Sequence, residues 1–320
     1  MIKIVIPVFL VILLGYLYGR RRKSSTEAEK LINEYVLYIA LPALLFLAVA
    51  RADPADLAQW PFVAATLAGI AAAYLGGALV ARSRGTHSPD ASIVGMASCY
   101  GTTGYMGIPI LISAFGPQAA VPAAVATILH NIPAIMAVII TQDLAGRKDV
   151  RVLTSAGRAL LMTVRNPLTL AVLAGAAFSL TGLSLPAMAV SFSQFLAAAA
   201  GPTALFALGL GLARIDVGRA QLSRQMAWVV PVVLIKILVQ PALTVAVLLV
   251  LVGTRIDVWA ATAIVMAAQP VGAGAYVFAN KYDYFREEVS ISIIVSLLVT
   301  VLTLTAILQI LGDVLQVRTF

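Results

Sequence analysis

Ten stretches of this chain, roughly residues 2–19, 31–50, 60–81, 91–115, 119–142, 165–181, 187–212, 227–252, 257–280 and 288–312, run almost free of charge. An α-helix rises about 1.5 Å per residue, so about 20 residues cross ~30 Å of hydrocarbon. Each stretch is therefore read as a membrane span. A soluble domain could not bury so much apolar surface: 61% of the 320 residues are hydrophobic and 11% charged, with a mean hydropathy of +0.97. Inside a bilayer every backbone polar group needs an internal partner, which leaves helices or a closed barrel. Runs of this length select helices, and the expected fold is an all-α integral membrane protein of ten transmembrane helices. The first run has only Lys3 before it, Arg20 to Lys23 after it and no small-residue cleavage pattern, so it is read as a span and not a signal peptide. Trp60, Trp228 and Trp259 each open a run, where an indole rests at headgroup level.

Positive charge sets the orientation. Seventeen of the 22 Lys and Arg fall in loops one, three, five, seven and nine, whereas Lys3, Arg51, Arg255 and Arg318 lie on the other side and Lys236 lies within a span. Cytoplasmic loops carry the excess of basic residues. Both termini are accordingly expected on the extracytoplasmic side of the inner or plasma membrane. The net charge of +8 is explained by this topology, and no basic stripe on a polar helix points to nucleic acid.

Five helices on each side of residues 143–164 imply an inverted repeat, because an odd helix number inserts a duplicated unit upside down. The expected division is a first repeat at 1–142, a cytoplasmic linker at 143–164 and a second repeat at 165–320. A short internal similarity supports it. Pro42 to Phe46 is followed by Ala50-Arg51-Ala52-Asp53, and Pro202 to Phe206 is followed by Ala213-Arg214-Ile215-Asp216.

Spans four and nine hold the same place in each half, and both are broken by glycine and proline. Span four reads Tyr100-Gly101-Thr102-Thr103-Gly104-Tyr105-Met106-Gly107-Ile108-Pro109, and span nine reads Gln269-Pro270-Val271-Gly272-Ala273-Gly274. Proline removes an N–H and crowds the preceding turn, while glycine weakens a helix. Freed backbone at that depth must be buried in protein or line a polar cavity. A matched pair of broken spans marks a substrate site, with half-helix N-termini that favour an anion. The expected substrate-binding residues are Thr102, Thr103, Gly104, Tyr105, Gly107, Pro109, Gln269, Pro270, Gly272 and Gly274, joined by Lys236 and Asn131.

Lys236 is the one basic residue within a span, and all fourteen Asp and Glu lie in loops or at helix ends. Its ammonium either neutralises an anionic substrate, braces carbonyls freed at the breaks, or snorkels to the cytoplasmic face. His130 is either a proton relay or a helix-packing side chain, and the single Cys99, inside an apolar run, reads as a packing residue. No phosphate loop, paired metal ligands or Ser-His-Asp set is present. An enzyme is not expected, nor any cofactor or metal.

The stretches 100–109 and 269–282, with Leu41-Pro42-Ala43-Leu44-Leu45-Phe46 and Lys236-Ile237-Leu238-Val239-Gln240-Pro241, resemble the auxin efflux carrier family, which includes bacterial permeases labelled malonate or malate transporters. The resemblance spans about residues 30–310. It implies a fold similar to sodium/proton antiporters and bile acid carriers, with spans four and nine crossing, an elevator-like movement against a scaffold, and a small organic anion as substrate. Related folds often pair as homodimers through scaffold helices. Two positions depart from the family pattern: Thr102 and Gly274 stand where asparagines are usual. A cation-coupled carrier of the bile acid type and a membrane receptor that keeps the carrier fold are the alternatives.

Overall fold

The computed structural model describes residues 2–22, 26–53, 59–146, 152–214 and 222–315. Lys23, Arg147, Lys148, Arg151, Arg219 and Arg318, counted above for orientation, and Asp216 of the internal similarity lie outside them. Within the described residues the regular structure is helical, joined by short turns and loops, save one isolated antiparallel bridge between Gly101 and Val271.

In order, the helices are α1 (Ile2–Arg22), α2 (Thr26–Tyr35), α3 (Leu41–Ala50), α4 (Trp60–Ser83), α5 (Asp90–Cys99), α6 (Ile108–Phe115), α7 (Ala120–Gly146), α8 (Val152–Val164), α9 (Pro167–Leu180), α10 (Ala187–Leu212), α11 (Leu222–Leu234), α12 (Gln240–Val252), α13 (Val258–Ala267), α14 (Ala273–Lys281) and α15 (Arg286–Val314). Three wider π-helical turns join some of these into continuous rods: Val36–Ala40 between α2 and α3, Thr103–Gly107 ahead of α6, and Ile235–Val239 between α11 and α12. Each sits immediately before an X-Pro pair. A proline ring collides with the carbonyl four residues back. Widening the turn moves that carbonyl aside, and the N–H just before the proline bonds five residues back, Leu41 to Val36, Ile108 to Thr103 and Gln240 to Ile235.

Among the described residues, seven helical segments are long and apolar enough to cross a membrane: Lys3–Arg21, Glu29–Ala50, Trp60–Ser83, Pro117–Ala145, Ala187–Leu212, Gln225–Val252 and Arg286–Val314. The pair Leu153–Val164 and Pro167–Leu180, bent by 76° at its junction, passes the same test only when taken together, as a broken span or a re-entrant loop. There Asn166 caps α9 by accepting from the Leu168 N–H at 2.9 Å, and Pro167 follows at the first helical position. The expected linker at 143–164 is thus largely helix, shared between the end of α7 and α8. The remaining two expected spans, 91–115 and 257–280, hold no unbroken helix of span length. Each is made of two short helices, α5 with α6 and α13 with α14.

The main core is an apolar body on which α4, α5, α7, α12 and α13 converge, with α1 packed against α10 and α3 against α9, and a smaller cluster of Val229, Val233, Ile237 and Ile291 joins α11 to α15. Leucines and phenylalanines stand outward on the lipid side, among them Leu79, Phe195 and Leu302. At one end, Arg84 stacks on the Trp228 ring at 4.6 Å and donates to the Ala227 carbonyl at 2.7 Å, while Trp228 meets Phe285 edge-on. Thr86 bonds the Tyr284 hydroxyl at 3.0 Å. This clasp fixes the ends of α4, α11 and the turn into α15, and so holds the frame on which the two interrupted helices sit.

Candidate transport site

The two interrupted helices meet at their breaks. Past Cys99 the chain leaves the helix for three residues, and past Ala267 it does so for five. The loosened segments lie side by side, antiparallel: Thr102 N–H donates to the Pro270 carbonyl at 3.0 Å, and Gly272 N–H donates to the Tyr100 carbonyl at 2.9 Å. The approach is close enough to require glycine. A Cβ at Gly272 would lie 2.8 Å from the carbonyl carbon and oxygen of Gly101, and one at Gly274 would lie 2.5 Å from the Tyr100 ring. Gly274 is therefore the seat of an aromatic ring.

Other groups meet at the bridge. Lys236, in the π turn between α11 and α12, is fully buried and donates from Nζ to the Ala267 carbonyl at 2.7 Å. That carbonyl belongs to the C-terminus of α13, the negative end of its dipole. The ammonium also lies against Gly101, where a Cβ would stand 3.3 Å from Nζ. Of the three roles open to Lys236 from sequence, snorkelling is excluded by its zero exposure. Val271 N–H donates to Ser296 Oγ of α15 at 3.0 Å. Gln269 turns its amide nitrogen back to the Val265 carbonyl at 3.0 Å, which leaves its Oε1 buried without a partner. The Thr102 hydroxyl points to the carbonyls of Val271 and Pro270, at 3.2 and 3.4 Å. It is spent on the bridge and not held out to a ligand. Gly107 packs on Met266 and Gln269.

The structure thus gathers Thr102, Gly107, Lys236, Gln269, Pro270, Gly272 and Gly274 of the expected residues. Others face away. Gly104 looks toward the side chains of Thr127, Leu168 and Leu41, on α7, α9 and α3. The Thr103 hydroxyl is buried without a partner, and Tyr105 is half-buried. His130 bonds the Ala126 carbonyl through Nδ1 at 2.9 Å and keeps Nε2 unpartnered, within electrostatic range of Lys236. Asn131 is half-buried, and its side chain makes no hydrogen bond to the bridge among the described residues.

Pro109 opens on a different space. A cavity of about 870 Å³ lies between α1, α3, α6 and α10, with Ile108 and Pro109 at one wall and Arg51, Ser113, Gln118 and Gln194 as its polar lining. Of the expected site residues only Pro109 lines it. Sequence reasoning used Arg51 as a topology marker and as part of the internal similarity, not as a site residue. The available signal was its place as one of four cations on the side otherwise poor in them.

Paired helix breaks closed on each other inside an apolar, many-spanned body are the architecture of a membrane transporter. The chain belongs to the membrane transport protein family, that of the auxin efflux carriers, whose description matches residues 1–308. It is similar to a protein of Rhizobium meliloti (strain 1021) described as a "Putative malonate transporter", with 30% identity over 95% of this chain and 94% of the relative. It is also similar to the "Uncharacterized transporter YfdV" of Escherichia coli (strain K12), with 25% identity over 65% of this chain and 67% of the relative. Transport, not enzymatic chemistry, is the work of this family.

Proposed function

We propose that this protein carries small organic carboxylates, malonate among them, across the inner membrane by alternating access around the bridged helix breaks. The observation that carries the reading is the antiparallel contact of Gly101 with Val271, which joins two broken helices deep in the protein. α5 and α13 have ten residues each, only ~15 Å of helix and about half of a bilayer core. Each therefore forms a span only together with its continuation, α6 or α14. Counting both pairs as spans gives ten helices, divided as inverted repeats at 1–142 and 165–320, with both termini outside by the positive-charge bias.

The substrate class follows from charge and from kinship. A buried ammonium, Lys236, stands at the breaks, and no carboxylate does. The N-termini of the half-helix that begins at Thr103 and runs into α6, and of α14, add partial positive charge nearby. A site of that character suits an anion, and the relative from Rhizobium meliloti bears the name of a malonate carrier. Pairing of two copies through the scaffold helices belongs to the same proposal.

Counterflow of labelled malonate, malate and indole acetate in proteoliposomes tests it. Exchange is expected to persist without an imposed ion gradient and to be lost in Lys236→Ala. Strict sodium dependence would instead assign a cation-coupled carrier, and saturable binding with no flux would assign a receptor.

A further inference from the structure

The cavity beside Pro109 holds a cation that the bridge does not use. Arg51 caps the C-terminus of α3 and lines the cavity, and among the described residues its guanidinium has no ion pair and no hydrogen bond. Among the described residues no acidic side chain lines the same space, and Asp53, two residues on, is not part of its wall. The backbone that carries Arg51 is pinned. Ala52 N–H bonds the Val49 carbonyl at 3.1 Å, and Ser179 of α9 donates to the Ala52 carbonyl at 2.7 Å. On this anchored turn the Arg51 side chain is exposed at the mouth of the cavity, opposite a wall of Pro, Val, Leu and Ala.

The rest of the polar lining is neutral and hydrogen-bonding. Gln118 stands just past Gly116, whose backbone is left-handed at φ +82° and turns the chain sharply out of α6. Gln194 faces from α10 and Ser113 from α6. Amide and hydroxyl donors around one guanidinium match a carboxylate, which accepts two parallel N–H bonds from an arginine fork and has further lone pairs to share. The volume lies in the range of small-molecule sites.

We infer that this cavity is the outer reception site for the transported anion, with Arg51 gripping one carboxylate and Gln118, Gln194 and Ser113 able to bond what the guanidinium leaves open. This rests on the carrier reading above and places the first substrate contact on α3, away from Lys236. Because Arg51 is the one cation lining the cavity among the described residues, a diacid and a monoacid share the same grip, and the second carboxylate of a diacid stays hydrated at the mouth. Ile108 and Pro109 form the wall nearest the bridge, so release from Arg51 passes the anion along α6 toward the helix breaks.

The test uses the full chain in proteoliposomes with labelled malonate. Arg51→Gln is expected to raise the half-saturating concentration at least about tenfold, the value of a charge-assisted bidentate contact, while the maximal rate stays within about twofold. Arg51→Lys falls between, since a point charge replaces a fork. Arg51→Cys gives a charge rescue that does not depend on the Gln variant folding. Its thiol, reacted with a methanethiosulfonate bearing a trimethylammonium group, recovers most of the lost affinity, and reaction with the sulfonate-bearing reagent recovers none. The native cysteine, Cys99, is buried, so the unsubstituted protein treated with either reagent is the control. If Arg51→Gln matches the wild type while the wild type exchanges malonate, the reception site is wrong and the carrier stands. Equal recovery with both reagents also overturns it. If the wild type neither exchanges nor binds any of the three acids, both readings fall together.

Discussion

The two helix breaks perform the same task with different means. At residues 100–102 the freed groups are taken up mostly by main chain: the Tyr100 carbonyl by Gly272 N–H, Thr102 N–H by the Pro270 carbonyl, and the Thr102 carbonyl by the N–H groups of Met106 and Gly107 at 3.2 Å. At residues 268–272 two side chains from remote helices intervene, Lys236 on the Ala267 carbonyl and Ser296 on the Val271 N–H. One break is closed by the path of the chain itself. The other depends on α15 and on the π turn between α11 and α12. The lesson is that a break satisfied by backbone asks only for room, which its glycines give, whereas one satisfied by side chains can be loosened or tuned through residues far away in sequence.

The largest expected effect strikes both breaks at once. Gly272→Val drives a branched side chain into Gly101, and overpacking of that kind costs about 3 kcal/mol. Loss of a monodisperse, cooperatively unfolding protein in detergent is the expected result, and a well-folded Val variant would break the claim of contact. Next comes Lys236→Met. Removing a charge-assisted bond costs about 2 kcal/mol, but relieving a buried ammonium returns a similar amount, so the melting temperature should barely move while counterflow is lost. A collapse of stability would show the ammonium to be a brace and nothing more. Ser296→Ala leaves the buried Val271 N–H without an acceptor, at about 1.5 kcal/mol in chemical denaturation. Thr102→Val is the smallest, at about 0.5 kcal/mol, because the backbone bond from Thr102 to Pro270 survives the loss of the hydroxyl. If the last two prove equal, the contrast between the breaks disappears.

Much of this was legible before any coordinates. Hydropathy located the helices because lipid tolerates few alternatives, and the glycines and prolines of 100–109 and 269–274 announced the breaks there, whereas the π turns ahead of Pro42 and Pro241 were not anticipated. The pairing of 100–109 with 269–274 could be anticipated because freed backbone must find a partner at depth. What sequence reasoning could not resolve is direction. It listed Thr102 as a ligand for substrate, yet the hydroxyl turns to the Val271 carbonyl, a matter of one rotamer. It placed Asn131 and Lys236 in one group, although only Lys236 reaches the bridge. It grouped Gly274 with the substrate-binding residues, because a glycine that makes room for Tyr100 looks no different in sequence from one that bends a chain. The cavity at Arg51 was hidden for a deeper reason: its walls come from α1, α3, α6 and α10, and no local pattern reports how four helices stand apart.

The π turns carry a consequence for how such a chain can change over time. A π turn is an α-helix with one residue to spare, and here the spare residue is what lets a proline follow without meeting the carbonyl four residues back. Deleting one residue within 235–239 should therefore press the Pro241 ring against that carbonyl and turn everything on one side by about a hundred degrees against the other. Lys236 would keep its helix and lose its carbonyl. Lineages of this protein that shed or gain a residue at that turn would thus move between two placements of the same ammonium, a change in site chemistry reached by a length mutation with no substitution at all.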